Sequence, residues 1–264
     1  MDVFETSTPI VGMLHLPPLP GAPDFTGNRS AIRERVRRDA VALEAGGVDG
    51  IMLENFGDAP FYLDRVPRHT VAEITALAAT LQECVSTPFG VNVLRNDVRS
   101  ALGIAAATDG AFVRANVHTG ARVTDQGLIE GTAHETLRLR ERLDADVAVL
   151  ADLDVKHSAP LAERALEETF ADLVERGGAD AVVVSGAGTG ESVDTDLLAR
   201  VLDCRDDRGL DVSVLIGSGV TPATAPDLLE LTDGAIVGTA LKEGGETTAP
   251  VDEAAVERLV GAVP

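Results

Sequence analysis

Ile10-Val11-Gly12-Met13-Leu14-His15-Leu16-Pro17-Pro18-Leu19-Pro20-Gly21 joins a short apolar run to a loop that cannot start a helix. Residues 10–16 read as a strand, and the prolines behind them forbid an immediate helix. A doubly wound nucleotide-binding sheet would turn here through G-x-G-x-x-G straight into a helix. Seven further apolar, β-branched runs follow: Gly50–Phe56, Phe89–Leu94, Ala111–Val117, Val147–Val155, Ala181–Ser185, Ser213–Gly217 and Gly234–Gly238. Helical patterns separate them and one follows the last. The clearest are Val71–Val85, with Ile74, Leu77, Ala78 and Leu81 aligned, and Leu161–Arg176, with Ala162, Leu166, Phe170 and Leu173 aligned. Eight βα units in about 250 residues predict an α/β chain folded as a (β/α)8 TIM barrel. No linker or composition shift divides residues 1–264, so a single domain is expected. A doubly wound sheet is the alternative.

Composition narrows the partners. The 264 residues hold 43 Asp+Glu against 22 Lys+Arg, a formal net charge of -21. Only two lysines occur, Lys156 and Lys242, and the remaining basic residues are arginine. Nucleic acid and anionic membrane surfaces need clustered positive charge, so neither is expected as a partner. At 45% hydrophobic residues the chain is too apolar to be a disordered acidic protein. An acidic coat nearly free of lysine resembles that of cytosolic proteins from high-salt cells, where screening weakens self-repulsion. The melting temperature is therefore expected to rise from low to molar KCl; a flat or falling curve would refute the halophilic reading. Cys84 and Cys204 form no ligand cluster and read as small apolar residues. Residues 1–9 are polar and acidic, and no apolar run approaches the roughly 18 residues of a membrane span. A cytoplasmic protein is expected, acting on a small molecule, with a homo-oligomer left open.

The chemistry should lie at the C-terminal strand ends. The seventh and eighth strands end in Gly217-Ser218-Gly219 and Gly238-Thr239, small residues that let backbone N–H groups approach an anion, with helix starts behind them. Ser185 and the glycines after it offer a third such wall. Tight turns without a ligand are the bland alternative. Arg114, Asn116 and His118 on the fourth strand, and Asp152, Asp154 and Lys156 on the fifth, recur at period two and so share faces of neighbouring strands. Glu54 ends the second strand and Asn92 lies near the end of the third. Inward charges at these places mark a site, or else a self-satisfied ion network. His15 is a candidate acid or base, and Lys156 a phosphate clamp, Schiff-base amine or ion-pair partner. The five histidines show no HxH or HExxH spacing, so no transition metal is expected. Asp152 with Asp154 would suit Mg²⁺ beside a phosphate. Phe56, Phe61 and Tyr62 form either a stacking platform or a hydrophobic plug. Three loops, Leu16–Ser30, Gly57–Thr70 and His118–Gly131, are long enough for lids.

Several of these segments resemble the BtpA/SgcQ family. They are residues 10–21, Gly50-Ile51-Met52-Leu53-Glu54-Asn55-Phe56-Gly57-Asp58, Asn92-Val93-Leu94-Arg95-Asn96-Asp97, Phe112-Val113-Arg114-Ala115-Asn116-Val117, Ala151-Asp152-Leu153-Asp154-Val155-Lys156-His157 and Gly217–Gly219. The resemblance runs nearly end to end. It implies a TIM barrel with its site at these segments. The family takes its name from a factor needed for photosystem I biogenesis, another member belongs to a sugar-utilisation gene region, and some have been likened to phosphoribosylanthranilate isomerase.

Three functions follow. In the first, an enzyme works at the anomeric carbon of a ribosyl substrate, as in nucleoside phosphorolysis with inorganic phosphate as co-substrate. Phosphate would sit at Gly217, Ser218, Gly219, Gly238 and Thr239. Asp152 or Asp154 would hold the ribose, Glu54 or His15 would protonate the leaving base, and Phe56 or Tyr62 would stack on it. Asn92, Arg114, Asn116 and Ser185 would complete the binding surface. In the second, a phosphosugar isomerase uses His15 with Asp152, or an aldolase uses a Schiff base on Lys156. In the third, the chain is a non-catalytic assembly factor, for which inward Arg114, Asp152 and Asp154 would be superfluous.

Overall fold

The computed structural model describes residues 3–186, 194–217 and 219–264. Eight parallel strands close into a barrel: β1 (Ile10–His15), β2 (Gly50–Glu54), β3 (Phe89–Asn92), β4 (Phe112–Ala115), β7 (Ala148–Asp152), β9 (Ala181–Val184), β10 (Ser213–Ile216) and β11 (Ala235–Val237). Each pairs with the next in chain order and β11 returns to β1. The eight strands coincide with the eight runs read from the sequence, each trimmed at its ends. The expected (β/α)8 barrel is thus the architecture found.

Alternation along the strands sorts the residues into two cores. Val11, Met13, Met52, Phe112, Leu150, Val183, Leu215 and Ile236 point into the barrel and pack together, with Phe4 closing the N-terminal end against Phe112. The opposite parity, including Leu14, Ile51, Val91, Val113, Val149, Val182 and Ile216, packs against the helices. These are α1 (Arg29–Ala45), α2 (Arg68–Cys84), α3 (Val98–Ala107), α4 (Ala133–Leu143), α5 (Leu166–Ala171), α6 (Thr195–Asp207), α7 (Ala225–Leu229) and α8 (Glu253–Val260). Side chains cap several of them, Asn28 accepting from Ala31 N and Asp97 from Ser100 N. At the N-terminal end Asp49, Asp180 and Asp233 each accept a backbone N–H from the adjoining strand, at 2.8, 2.7 and 2.8 Å. These three acids hold strand starts and belong to the barrel rather than to any site.

Gly90 has a packing reason. A Cβ there would lie 2.1 Å from Phe112 Cδ2 and 2.6 Å from the Phe112 carbonyl oxygen. Phe112, fully buried, fills the barrel only because β3 carries no side chain at that point. Gly90→Ala is expected to cost about 1–3 kcal/mol or more in a denaturant titration, because the ring and backbone must both shift. A variant as stable as the parent would refute this packing account.

Two segments depart from expectation. The loop at 118–131 contains a hairpin, β5 (Ala121–Thr124) and β6 (Gly127–Glu130), joined by β8 (Ser158–Pro160) into a three-stranded antiparallel sheet. Its Ile129 packs on Val117 and Val155 over the barrel mouth. The helix expected over 161–176 begins only at Leu166, and Asp172–Arg176 continues it as a π-type turn. Leu161 donates its N–H to Ala121 O as the chain leaves β8. Its side chain is 58% exposed instead of packing on the core. Backbone pairing across the new sheet thus overrides the helical pattern there. Among the described residues no helix is long and apolar enough to cross a membrane.

Candidate active site

The inward parity that builds the barrel core continues one step to the C-terminal rim. There it places His15, Glu54, Asn92, Arg114, Asp152, Ser185, Gly217 and Gly238 two residues beyond an inward position, and Asn116, level with Asp152, two beyond Arg114. Register aligns the first three, with His15 opposite Glu54 and Glu54 opposite Asn92. Above this layer opens a cavity of about 400 Å³. His15, Glu54, Arg114, Asn116 and Lys156 line it, with Gly217, Gly219, Gly238 and Thr239 on one side and Phe56 and Phe61 on another.

The charged groups divide into two sets. Arg114 and Asp152 form a buried, two-pronged ion pair, Nε to Oδ1 at 2.9 Å and Nη2 to Oδ2 at 3.1 Å. Asn116 Nδ2 also donates to Asp152 Oδ2 at 2.9 Å. Burial alone would lower the Arg114 pKa, but the Asp152 and Glu54 carboxylates outweigh it and hold the pKa above its usual value. Arg95 and Lys156 add positive charge at the mouth, and Arg95 Nη2 donates to the Lys156 carbonyl. Lys156 Nζ lies 3.4 Å from Gly217 O. Burial, then the neighbouring Arg114, lowers its pKa to about 8. Cations therefore dominate this cavity in a chain of net charge -21.

The second set is His15 and Glu54. His15 Nδ1 donates to Thr247 O at 3.0 Å, which leaves Nε2 as a bare lone pair 3.6 Å from Glu54 Oε1. The Phe56 ring centre lies 4.7 Å from that of His15. Burial, then Lys242, lowers the His15 pKa to about 3, so its imidazole is neutral. Glu54 accepts from Asn92 Nδ2 at 2.6 Å. Its burial raises the carboxyl pKa in spite of Arg114, Asn92 and Lys156, which act the other way. A neutral acceptor thus faces a buried carboxyl whose pKa is raised.

Several expected site residues fall elsewhere. Asp154 does not continue the inward row of Asp152, because the strand ends at Asp152 and the chain bends. Its exposed carboxylate pairs with Arg122 on the small sheet. The two carboxylates are therefore not brought together for Mg²⁺ or for a sugar. Asp152 is itself fully engaged, its side chain wholly inaccessible, so it positions Arg114 and Asn116 rather than meeting a ligand. Asn92 likewise stands behind Glu54. Tyr62 is 50% exposed and outside the cavity; Phe61 faces in instead. His118 turns away, Nε2 donating to Gly177 O at 2.8 Å. Ser218 and the glycine-rich stretch at 187–190 lie outside the described residues. The α-helix starts expected to support an anion are not at the cavity: β10 reaches α7 only at Ala225, and two 3₁₀ turns, Thr239–Leu241 and Glu243–Gly245, stand between β11 and α8. Any anion would be held by side-chain cations and loop N–H groups.

Arg95 and His157 line the cavity unannounced by strand patterning, because both stand on loops. Arg95 lay inside a family-like segment, yet one arginine among twenty carries no compositional signal. Lys156 did carry one, being one of two lysines. Among the described residues no three His, Cys, Asp or Glu side chains gather as a metal site.

Comparison with known proteins gives kinship. The phosphoribosyl anthranilate isomerase of Thermus thermophilus superposes with a TM-score of 0.58 over 97% of this chain and 98% of that one, at 14% identity, a likeness of fold alone. An uncharacterized protein of Thermococcus kodakarensis is 44% identical over 254 residues, 96% of this chain and 94% of its own length. The photosystem I biogenesis protein BtpA of Synechocystis is 42% identical over 262 residues, 99% of this chain and 90% of its own length. With the family's sequence model matching residues 6–264 as well, the chain belongs to the BtpA family.

Proposed function

We propose that the protein is a phosphate-dependent enzyme working at the anomeric carbon of a ribosyl substrate, and that its reaction is the phosphorolysis of a nucleoside. The observation that carries this reading is the position of Glu54. A buried carboxyl with a raised pKa stands between a cationic group, Arg95, Arg114 and Lys156, and an aromatic wall, Phe56 and Phe61. Hydrogen phosphate would be held by the cations and by the N–H groups around Gly217, Gly219, Gly238 and Thr239. The base would lie against Phe56 and Phe61. The bond from the anomeric carbon to the base nitrogen breaks, and its electron pair leaves with the base. Glu54 gives its proton to that nitrogen as a phosphate oxygen bonds to the anomeric carbon, and the proton of the attacking hydrogen phosphate restores the carboxyl. The products are a free base and ribose 1-phosphate. Arg114, held by Asp152, steadies the anion throughout.

A second reading has its own observation. Lys156 reaches into the cavity with a pKa lowered to about 8, as a Schiff-base amine requires. That reading makes the enzyme an aldolase, which borohydride would trap on Lys156 in the presence of its sugar phosphate. An assembly role like that in the name of the Synechocystis relative would leave the buried inward layer without a purpose.

The test mixes protein in concentrated KCl with a panel of nucleosides, with and without phosphate. Free base that appears only with phosphate supports phosphorolysis. An absence of turnover across the panel removes it, and phosphosugar isomerisation and aldol cleavage are assayed next.

A further inference from the structure

Two buried polar atoms of the inward layer have no hydrogen-bond partner, Asn116 Oδ1 and Ser185 Oγ. Native folds leave few such atoms, because an unmet buried polar group is costly. Both residues are more than nine-tenths buried, at 4% and 6% exposure. They stand at the ends of β4 and β9, on either side of β7 and its Asp152. The Asn116 amide is fixed: Nδ2 donates to Asp152, so Oδ1 must face the other way, and Asn116 lines the cavity. Ser185 Oγ lies 2.5 Å from the point a Gly217 Cβ would occupy, and Arg114 Nη2 lies 3.5 Å from that same point. Hydroxyl and guanidinium thus both border the space beside Gly217, itself a cavity residue. Ser185 does not itself line the cavity and meets it only across the space beside Gly217, a link that His118 Nδ1 and Gln126 Oε1 lack.

The chemistry of the pair selects its ligand. An amide oxygen only accepts, whereas a hydroxyl donates and accepts. A phosphate or carboxylate would set acceptor against acceptor at Asn116. A sugar diol supplies a donor for Asn116 Oδ1 and either partner for Ser185 Oγ. We propose that Asn116 and Ser185 form a hydroxyl-recognition subsite that makes the protein select ribosyl over 2-deoxyribosyl substrates. The proposal rests on the ribosyl reading above. A deoxy sugar would leave one of the two buried atoms unmet, the situation in which sites reject an analogue most strongly.

Calorimetry in molar KCl with ribose 1-phosphate and 2-deoxyribose 1-phosphate tests this without requiring turnover. The ribo compound should bind about 10²-fold tighter or more. Asn116→Ala and Ser185→Ala should each shrink that ratio to within about tenfold, by weakening the ribo compound alone. Ser185→Ala removes a single unpartnered atom, and so keeps the test open if Asn116→Ala, which frees an oxygen of Asp152, melts early. Equal binding of the two sugars, equal weakening of both in the variants, or no binding of either at millimolar concentration would overturn the subsite. A ribo preference without nucleoside turnover would instead remove phosphorolysis and keep the subsite. Equal turnover of ribo- and deoxynucleosides would keep phosphorolysis and remove the subsite.

Discussion

Asp152→Ala is expected to destabilise the protein by about 3–5 kcal/mol in a denaturant titration, the cost of stranding a buried charge. The Arg114 guanidinium would keep its burial and lose both hydrogen bonds to its carboxylate, and Asn116 Nδ2 would lose its acceptor. Removing both charges together is a different experiment. Asp152→Leu with Arg114→Met should recover much of the loss, because the desolvation cost of the pair disappears with it. Salt separates this pair from those on the surface. Arg29 and Glu73 also pair at 2.7 Å, but with side chains 53% and 21% exposed. Such pairs contribute about 0–1 kcal/mol, and at 1 M salt the screening length falls to about 3 Å. In molar KCl, then, Arg29→Ala should be close to neutral while Asp152→Ala keeps its full effect. A loss below about 1 kcal/mol at Asp152 would mean that water reaches Arg114 once the carboxylate is gone.

The reach of the sequence ends where strands end. Alternation is a property of extended chain, and it located His15, Glu54, Arg114, Asn116, Asp152 and Gly217 because each sits on a strand or within two residues of one. The same alternation misplaced Asp154, because it was carried past the bend after Asp152 into chain that the small sheet had claimed. Arg122, on that sheet, then captured the carboxylate. Residue type marked Phe56, Phe61 and Tyr62 as a cluster, but only the fold of the loop shows that Phe56 and Phe61 line the cavity and Tyr62 does not. The amphipathic pattern of 161–176 was real only from Leu166 on, because residues 158–161 found better hydrogen bonds against Ala121–Thr124. Pattern also could not separate Asp152 from Glu54. Both are inward acids at the rim, with β3 and β4 between their strands, yet Asp152 is saturated by Arg114 and Asn116, whereas Glu54 accepts from Asn92, faces a neutral histidine and feels Arg114 and Lys156 only through space. In the proposed reaction, that difference of partners makes Asp152 the positioning residue and Glu54 the proton donor.

Glu54→Gln should separate the two roles most sharply. Glutamine keeps the shape and still offers an oxygen to Asn92 Nδ2, while its amide can donate toward His15 Nε2. What it cannot do is give up a proton, so turnover of a nucleoside should fall by about 10²–10⁴-fold. In the parent, kcat/KM should decline as pH rises through the raised pKa of Glu54, because only the protonated carboxyl serves as the acid. The share of stability that Glu54 contributes should fall in the same direction. Burial raises the folded pKa of Glu54 above its unfolded value. Its favourable share is therefore present below the unfolded value, about pH 4.3, and is lost as pH rises through the folded one. Glutamine loses nothing over that range. The variant should melt with the parent at low pH and above it once pH passes the raised pKa. A glutamine variant that turns over at the parental rate would end the general-acid role. A variant less stable than the parent at every pH would mean that Glu54 is ionised and paired with Arg114, and the proton donor would then have to be sought among the loop residues, His157 first.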